Sequence, residues 1–184
     1  MSYPEYAKVN NKMYKINTDF KVALRCSEVY NSNVRDEEKV LAIIYLLFGD
    51  EGLNNPDDWE KLIEKAQIYL LCGKEPNNDN EIDMDFEQDE GIIRASFYTD
   101  YQIKDVYQEN LHWWYFNELL NGLTEKCALN RTRELRNFDT SKIKDTKAKN
   151  EIEKAKSEVR LRNVKKPTEE QQKASDEFYK QIGL

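Results

Sequence analysis

Apolar residues recur every three or four positions along most of the sequence, which is the spacing that places them on one side of an α-helix. The most apolar stretch, residues 111–123, contains two of the three tryptophans and the single histidine. Trp113, Phe116 and Leu120 form one stripe on this predicted helix, and we expect that stripe to face the core. The other side mixes polar and apolar residues and is the candidate interaction surface. That surface contains Leu111, Trp114 and Tyr115.

The limits of this helix and a wider core follow from the same pattern. Asn110 is a suitable N-cap, and Gly122 lies where a glycine in the left-handed conformation would end the helix. Aromatic residues at helical spacing in other stretches extend the predicted core. The core signature comprises Phe20, Phe86, Phe97, Tyr101, Trp113, Phe116 and Leu120.

The first third of the chain predicts a hairpin followed by two helices. The hairpin spans residues 9–16 and turns at an Asn-Asn pair, a residue type that tolerates positive φ. Asn17 or Thr18 then caps a helix. Its inward row is predicted to be Phe20, Leu24, Ser27 and Tyr30. The second helix begins near Asp36, with Gly49 just past its end.

Further helices are predicted after these. One starts at Asn55, where proline and two acids follow the N-cap, and another begins near Asp85 after a polar loop. Later ones follow Thr124 and Ser141, and Pro167 starts a last short helix anchored by its apolar residues. Those anchors are Phe178, Tyr179 and Ile182.

The fold class predicted from these elements is mainly α. It consists of a compact helical domain with a small N-terminal β-hairpin, over residues 1–138, and a charged helical extension over residues 139–184. The extension has a thin apolar stripe, which is typical of a projecting or docking helix.

Composition and length favour one folded, water-soluble protein. Of the 184 residues, 39% are apolar and 11% aromatic, which is too many for a disordered chain. No apolar run approaches the roughly 18 residues of a membrane span, and the amino terminus lacks the shape of a secretory signal. We therefore expect a cytosolic protein without a membrane partner.

Charge is distributed unevenly. Residues 1–123 hold 12 Lys and Arg against 24 Asp and Glu, whereas residues 124–184 hold 16 against 11. A basic tail raises the alternative of a helical nucleic-acid-binding or regulatory module that uses the C-terminal extension. Acidic residues alternate with these basic ones, however, and this weakens phosphate binding. A salt-bridged solvent face is therefore favoured over a nucleic-acid partner.

The residues that could carry chemistry are scattered. Cys26, Cys72 and Cys127 lie far apart in apolar patterns and are interpreted as buried free thiols. One histidine, His112, cannot complete a metal site that needs two, and nothing near the cysteines resembles an activated thiolate. The sequence contains no phosphate-binding glycine loop and no nucleophile elbow. We expect no enzyme activity, no cofactor and no metal.

An acidic run has the spacing of calcium ligands. Its acids are Asp79, Glu81, Asp83, Asp85, Glu87 and Glu90. Met84 stands where a calcium loop normally needs glycine, and a predicted helix starts inside the loop. The run is therefore interpreted as a solvated loop that complements a helix N-terminus. Acid–base catalysis is disfavoured because no apolar wall is expected beside any of these acids.

Several motifs carry a resemblance to a known family. They are Tyr14-x-Ile16-x-x-Asp19-Phe20, Asp85-Phe86-Glu87-Gln88-Asp89, Ile93 with Ala95-Ser96-Phe97, Asp100-Tyr101-x-Ile103 and Leu111-His112-Trp113-Trp114-x-Phe116-x-x-Leu119-Leu120-x-x-Leu123. Over residues 14–136 the chain resembles the tail-assembly protein family encoded beside the tape-measure gene of long-tailed bacteriophages and prophages. The last motif is the most specific, because adjacent tryptophans after Leu-His are rare.

The resemblance implies a tail assembly chaperone. Such a protein is non-enzymatic, mainly helical and self-associating, and it acts in the host bacterial cytoplasm during virion morphogenesis. Its implied partners are the tape-measure protein, which it coats, and the tail-tube protein, whose subunits it helps to recruit. An acidic, soluble body with apolar grooves is compatible with that role, because an apolar-striped helical client aggregates when uncovered.

Overall fold

The computed structural model describes residues 2–75 and 82–162. Within these ranges, two strands precede seven α-helices, which confirms the predicted mainly helical fold with an N-terminal hairpin. The elements are β1 (Tyr6–Val9), β2 (Lys12–Lys15), α1 (Phe20–Asn31), α2 (Asp36–Leu53), α3 (Trp59–Leu70), α4 (Glu90–Tyr101), α5 (Trp113–Asn121), α6 (Ala128–Asn137) and α7 (Thr146–Val159). The helix predicted after Pro167 lies outside the described residues.

The hairpin is antiparallel, and one of its faces is buried. Val9 pairs with Lys12 across the turn, where Asn10 adopts a φ of 51°; it is the only one of the two turn asparagines with positive φ. Tyr14 is fully buried on the inner face, and its hydroxyl donates a hydrogen bond of 2.5 Å to Asp58 Oδ2 at the start of α3. The hairpin is therefore fixed to the helices through a partly buried hydrogen bond as well as by packing.

We expect Tyr14 to make stability depend on alkaline pH. Burial and the Asp58 hydrogen bond raise the pKa of Tyr14 from 10.0 to about 12. The unfolded chain therefore loses this phenolic proton first, and its contribution to stability is lost as pH rises from about 10 toward 12. Urea unfolding at pH 9 to 11.5 on the native chain and on Tyr14→Phe checks this. The prediction is contradicted if the difference in unfolding free energy between the native chain and Tyr14→Phe does not change with pH.

The start of α1 differs from the prediction. Asp19 is the N-cap, because its side chain accepts from the Lys21 backbone N–H at 2.9 Å, so the predicted Asn17 or Thr18 cap is wrong. Asn17 and Thr18 are instead held by tertiary contacts. Asn17 N donates to Leu47 O at 2.7 Å, and Thr18 O accepts from Trp113 N at 2.8 Å.

The inward row predicted for α1 is also partly wrong. Phe20 and Leu24 are buried, but Ser27 is exposed and Tyr30 is 57% exposed. The buried side of α1 instead continues through Ala23 and Cys26.

Helix α2 does not end before Gly49. The chain passes through Gly49 with φ 63° and ψ −159°, a conformation in which L side chains are strained, and then resumes a helical turn to Leu53. The interruption leaves the Leu47 carbonyl to accept from Asn17, as described above. The Trp59 indole stabilises the helical turn after Gly49, because its Nε1 donates to Gly52 O at 3.2 Å. Gly49 therefore marks a kink inside the helix.

Helix α4 begins at Glu90, five residues later than predicted. Asp85 does not start the helix, because its carboxylate accepts from the backbone N–H groups of Glu87 and Gln88 at 3.0 and 2.7 Å and closes a local turn. The polar segment before α4 is thus ordered by its own aspartate.

The helices pack as two connected groups. α2 contacts α1 and α3, while α4 contacts α6, and α6 contacts α7. α5 packs on α1, and its buried side chains join a single cluster that runs from the hairpin to α6. α7 lies beyond the predicted domain boundary at residue 138. The position of α5 within the shared cluster places the tryptophan stretch at the centre of the fold.

Candidate functional site

Helix α5 begins at a histidine cap. His112 is extended, with φ −61° and ψ 137°, and its Nδ1 accepts from the Trp114 backbone N–H at 3.0 Å. The predicted Asn110 cap is wrong because the chain is still paired with α1 there: Leu111 O accepts from Phe20 N at 3.0 Å. Gly122 ends α5 with φ −86°, so the predicted left-handed termination is also wrong.

The aromatic residues of the core signature meet around Phe116. Its ring centroid lies 4.2 Å from that of Phe20 and 5.5 Å from that of Phe97, with planes 12° and 10° apart. Trp113 and Phe86 are at 6.0 and 6.2 Å. These rings come from α1, α4, α5 and the segment before α4, so Phe116 ties four parts of the chain together.

The remaining core-signature residues, Tyr101 and Leu120, lie at the edge of this cluster. Leu120 is buried, whereas Tyr101, like Phe86, is half-buried and packs against the core. The Tyr101 hydroxyl donates to Leu119 O at 2.8 Å, near the end of α5.

The two adjacent tryptophans both bind the end of α3. Trp113 Nε1 donates to Leu70 O and Trp114 Nε1 donates to Tyr69 O, each at 2.9 Å. Carbonyls at a helix C-terminus lack partners within the helix, and the Trp113 indole supplies a donor to Leu70 O, whereas Tyr69 O also accepts from Cys72 N at 3.0 Å. Trp113 is 9% exposed, whereas Trp114 is half-buried, stacks on Tyr69 and passes 3.3 Å from the position of a Cβ at Gly73.

The three predicted surface residues do not share one open face. Leu111 precedes α5 and is half-buried, and the Trp114 indole is directed toward α3. Tyr115 is 41% exposed and is the member of the set that faces solvent. Helical spacing predicted that Trp113 is more buried than Trp114. It could not show that α3 covers part of the helix side that carries Trp114.

The first residues of the chain lie against α5, which the sequence pattern did not indicate. The ring of Tyr3 stacks on His112 with centroids 4.9 Å apart, and its hydroxyl donates to Glu118 Oε2 at 2.6 Å. That hydrogen bond, with burial, raises the pKa of Tyr3 to about 12. His112 Nε2 lies 3.1 Å from Pro4 O. No periodicity connects a residue at position 3 with one at position 118, so sequence spacing carried no signal for this contact.

A buried ion pair also escaped the sequence analysis. Asp89 and Arg136 have side-chain exposures of 3% and 8%, and two guanidinium nitrogens donate to the two carboxylate oxygens at 2.6 and 2.7 Å. Arg136 Nη1 also donates to Asp83 O, and Nε donates to Val159 O of α7. Asp89 lies between Glu87 and Glu90 but is not one of the six acids with calcium-ligand spacing, and sequence spacing carried no signal for its burial. The α6–α7 pair packs over this acid and excludes water from it.

Two acids of the run form ion pairs within the chain. Asp83 pairs with Arg133 at 3.0 Å, and Glu90 pairs with Arg94. Asp79 and Glu81 lie outside the described residues. Residues 2–75 and 82–162 contain no group of three or more His, Cys, Asp or Glu that could hold a metal ion.

The sequence was compared with models of known protein families. The family model for the bacteriophage Gp15 protein matches residues 4–161. The chain belongs to the bacteriophage Gp15 protein family. The match includes every strand and helix described above, and it extends past residues 14–136 into the C-terminal extension. No curated protein and no solved structure matches the chain.

Cys26 and Cys72 of this Gp15 family member are protonated at neutral pH. Burial raises the pKa of Cys26 to about 12 and that of Cys72 to about 11. Cys26 and Cys127 are buried as expected, while Cys72 is half-buried. All three are free thiols.

In the described part of the Gp15 chain, none of the helices has the length and apolarity required to cross a lipid bilayer.

An open groove of about 460 Å³ lies along α6 and includes Phe138, which is 42% exposed. The groove is lined by Ala128, Arg131, Thr132, Glu134, Leu135 and Phe138.

Proposed function

We propose that this Gp15 family protein is a tail assembly chaperone without enzymatic activity. It binds the phage tape-measure protein and helps to recruit tail-tube subunits in the host bacterial cytoplasm, and it self-associates while doing so. Membership of a bacteriophage family over residues 4–161 supports this proposal, as does the resemblance of the Leu-His-Trp-Trp stretch to tail-assembly proteins.

The observation that carries the proposal is the number of large apolar side chains left on the surface of a folded, acidic protein. Single exposed apolar residues are common, but a chaperone needs many of them on a rigid support. Within residues 2–75 and 82–162, those exposed by 40% or more are Tyr6, Met13, Tyr30, Val34, Tyr45, Ile68, Ile82, Tyr98, Tyr115 and Phe138.

Physical properties of the client explain why such a surface helps. A long helical protein with an apolar stripe aggregates before a tube surrounds it, and amphipathic helices bind to apolar surfaces presented by a folded partner. The net charge of −7 keeps the chaperone itself soluble. Tyr115 is the best-supported contact, because its neighbour Phe116 fixes α5 in the core while Tyr115 faces outward.

Co-expression with the tape-measure protein of the same phage tests the proposal. We expect the tape-measure protein to be recovered in the soluble fraction and to co-purify with the native chain. Tyr115→Ser should reduce the recovered complex several-fold, because it removes an exposed aromatic side chain from a helix that is fixed in the core. Glu125→Ser is the control, since Glu125 is exposed just after α5 and contributes no apolar side chain.

Two results would contradict the proposal. The first is a tape-measure protein that is equally soluble with and without this chain. The second is co-purification of nucleic acid in place of a tail protein, seen as excess absorbance at 260 nm, which would favour the nucleic-acid-binding alternative.

A further inference from the structure

One face of α5 carries a small site that is occupied by the chain itself. His112, Tyr115 and Glu118 follow one another at intervals of three and therefore lie along one side of the helix start. The ring of Tyr3 packs between the first two, with its centroid 4.9 Å from that of His112 and 6.2 Å from that of Tyr115. We call this set of three residues the Tyr3 site.

The polar contacts of the Tyr3 site define what it accepts. Glu118 receives the phenolic hydroxyl at 2.6 Å. His112 Nδ1 accepts a backbone N–H, so the proton of the neutral imidazole is on Nε2, which donates to Pro4 O at 3.1 Å. The site therefore recognises three features in order: an aromatic ring, a hydroxyl donor at its far end and an accepting carbonyl in the next residue.

The occupying segment is held on the surface. Tyr3 and Pro4 are half-buried, while Tyr115 and Glu118 are exposed. The hydrogen bonds of the hairpin begin one residue later, where Ile16 N donates to Glu5 O at 2.8 Å. Surface hydrogen bonds contribute little each, so residues 2–4 are able to leave the site while the hairpin and α5 remain folded.

We propose that the Tyr3 site is a recognition site for a tyrosine on an extended segment of a partner protein, and that residues 2–4 compete with that segment. The native occupant supplies the chemistry of the ligand: a tyrosine followed by a residue with a free carbonyl. Exchange between two copies of this chain is disfavoured by length, because three extended residues reach only about 10 Å.

Binding of a short peptide tests the inference without the tape-measure protein, so its outcome is separate from that of the proposed function. The probe is acetyl-Ser-Tyr-Pro-Glu-amide, titrated into the ¹⁵N-labelled full chain and followed by the amide signals of residues 112–118. On Tyr3→Ala we expect saturable shifts in the millimolar range. On the native chain, with the site about nine-tenths occupied by its own tyrosine, apparent binding should be about tenfold weaker.

Matched variants distinguish specific recognition of tyrosine from nonspecific peptide binding. A peptide with phenylalanine in place of tyrosine should bind several-fold more weakly to Tyr3→Ala, because the donor to Glu118 is missing. Glu118→Ala added to Tyr3→Ala should have the same effect on the tyrosine peptide, whereas Glu125→Ala, an exposed acid after α5, should have none. Circular dichroism establishes that each variant is folded.

A second measurement keeps the inference testable if Tyr3→Ala does not fold. In the otherwise native chain, Glu118→Ala should lower the pKa of Tyr3 from about 12 toward 10.0 in an absorbance titration. Tyr3→Phe keeps the ring of the occupant but removes its hydroxyl donor to Glu118, so this variant should bind the tyrosine peptide more tightly than the native chain does. Equal peptide binding to the native and Tyr3→Ala chains overturns the proposal, as does no binding to either. Sedimentation that shows Tyr3-dependent dimers of the native chain would also overturn it, because the occupant would then be a second copy.

Discussion

Replacement of Arg136 by methionine is expected to lower the free energy of unfolding by about 3–5 kcal/mol, because it leaves the Asp89 carboxylate buried without its cation. Asp89 is 3% exposed and loses two hydrogen bonds of 2.6 and 2.7 Å. Val159 O and Asp83 O lose a donor at the same time. Urea unfolding followed by tryptophan fluorescence measures the loss, and hydrogen exchange should show earlier opening of α7.

The double variant Asp89→Asn with Arg136→Met tests whether the unpaired charge of Asp89 causes the loss of stability in Arg136→Met. The neutral amide still accepts from Asp85 N, which lies 3.0 Å from Asp89 Oδ2, so we expect much of the lost stability to return. Arg131→Met is the control on the same helix. Arg131 is exposed, and its replacement should change stability by no more than about 0.5 kcal/mol. If Arg136→Met is as stable as the control Arg131→Met, the Asp89 carboxylate is not effectively buried.

Truncation of Trp113 to alanine is expected to cost about 3–5 kcal/mol and to unfold a large fraction of the chains. The side chain is 9% exposed, packs against Phe116 and donates to Leu70 O at the end of α3. Its removal opens a cavity beside the central aromatic cluster and leaves a helix-terminal carbonyl without this donor. Thermal melts by circular dichroism give the size of the effect.

Trp114→Ala is the matched comparison, because it removes the same side chain one position later. We expect a smaller loss of stability. Trp114 is half-buried, and Tyr69 O also accepts from Cys72 N at 3.0 Å, so the carbonyl keeps a donor. We further expect Trp114→Ala to weaken assembly or partner binding, measured by sedimentation, more than it weakens the fold. If Trp114→Ala unfolds the chain while Trp113→Ala is tolerated, the roles of the two sides of α5 are reversed.

Local sequence signals determined the type and order of most elements. Apolar residues at helical spacing predicted α2, α3, α5, α6 and α7, and the Asn-Asn pair predicted the hairpin. The same periodicity separated Trp113 from Trp114, because successive residues of a helix point about 100° apart. Such features could be predicted because they depend on neighbours within one or two turns of the chain.

Tertiary structure decided the contacts that join distant residues. Asp89 lies among the acids of residues 79–90, where local spacing carries no signal for burial, and only the packing of α6 and α7 over it brings Arg136 within 2.6 Å. Tyr3 meets Glu118 across 115 positions of sequence. Helix ends also shifted where outside groups took part, as at Asp19 and His112. Periodicity shows which side of an element is apolar, but burial, charge pairing and capping depend on which other element covers that side, and this is fixed only when the whole core assembles.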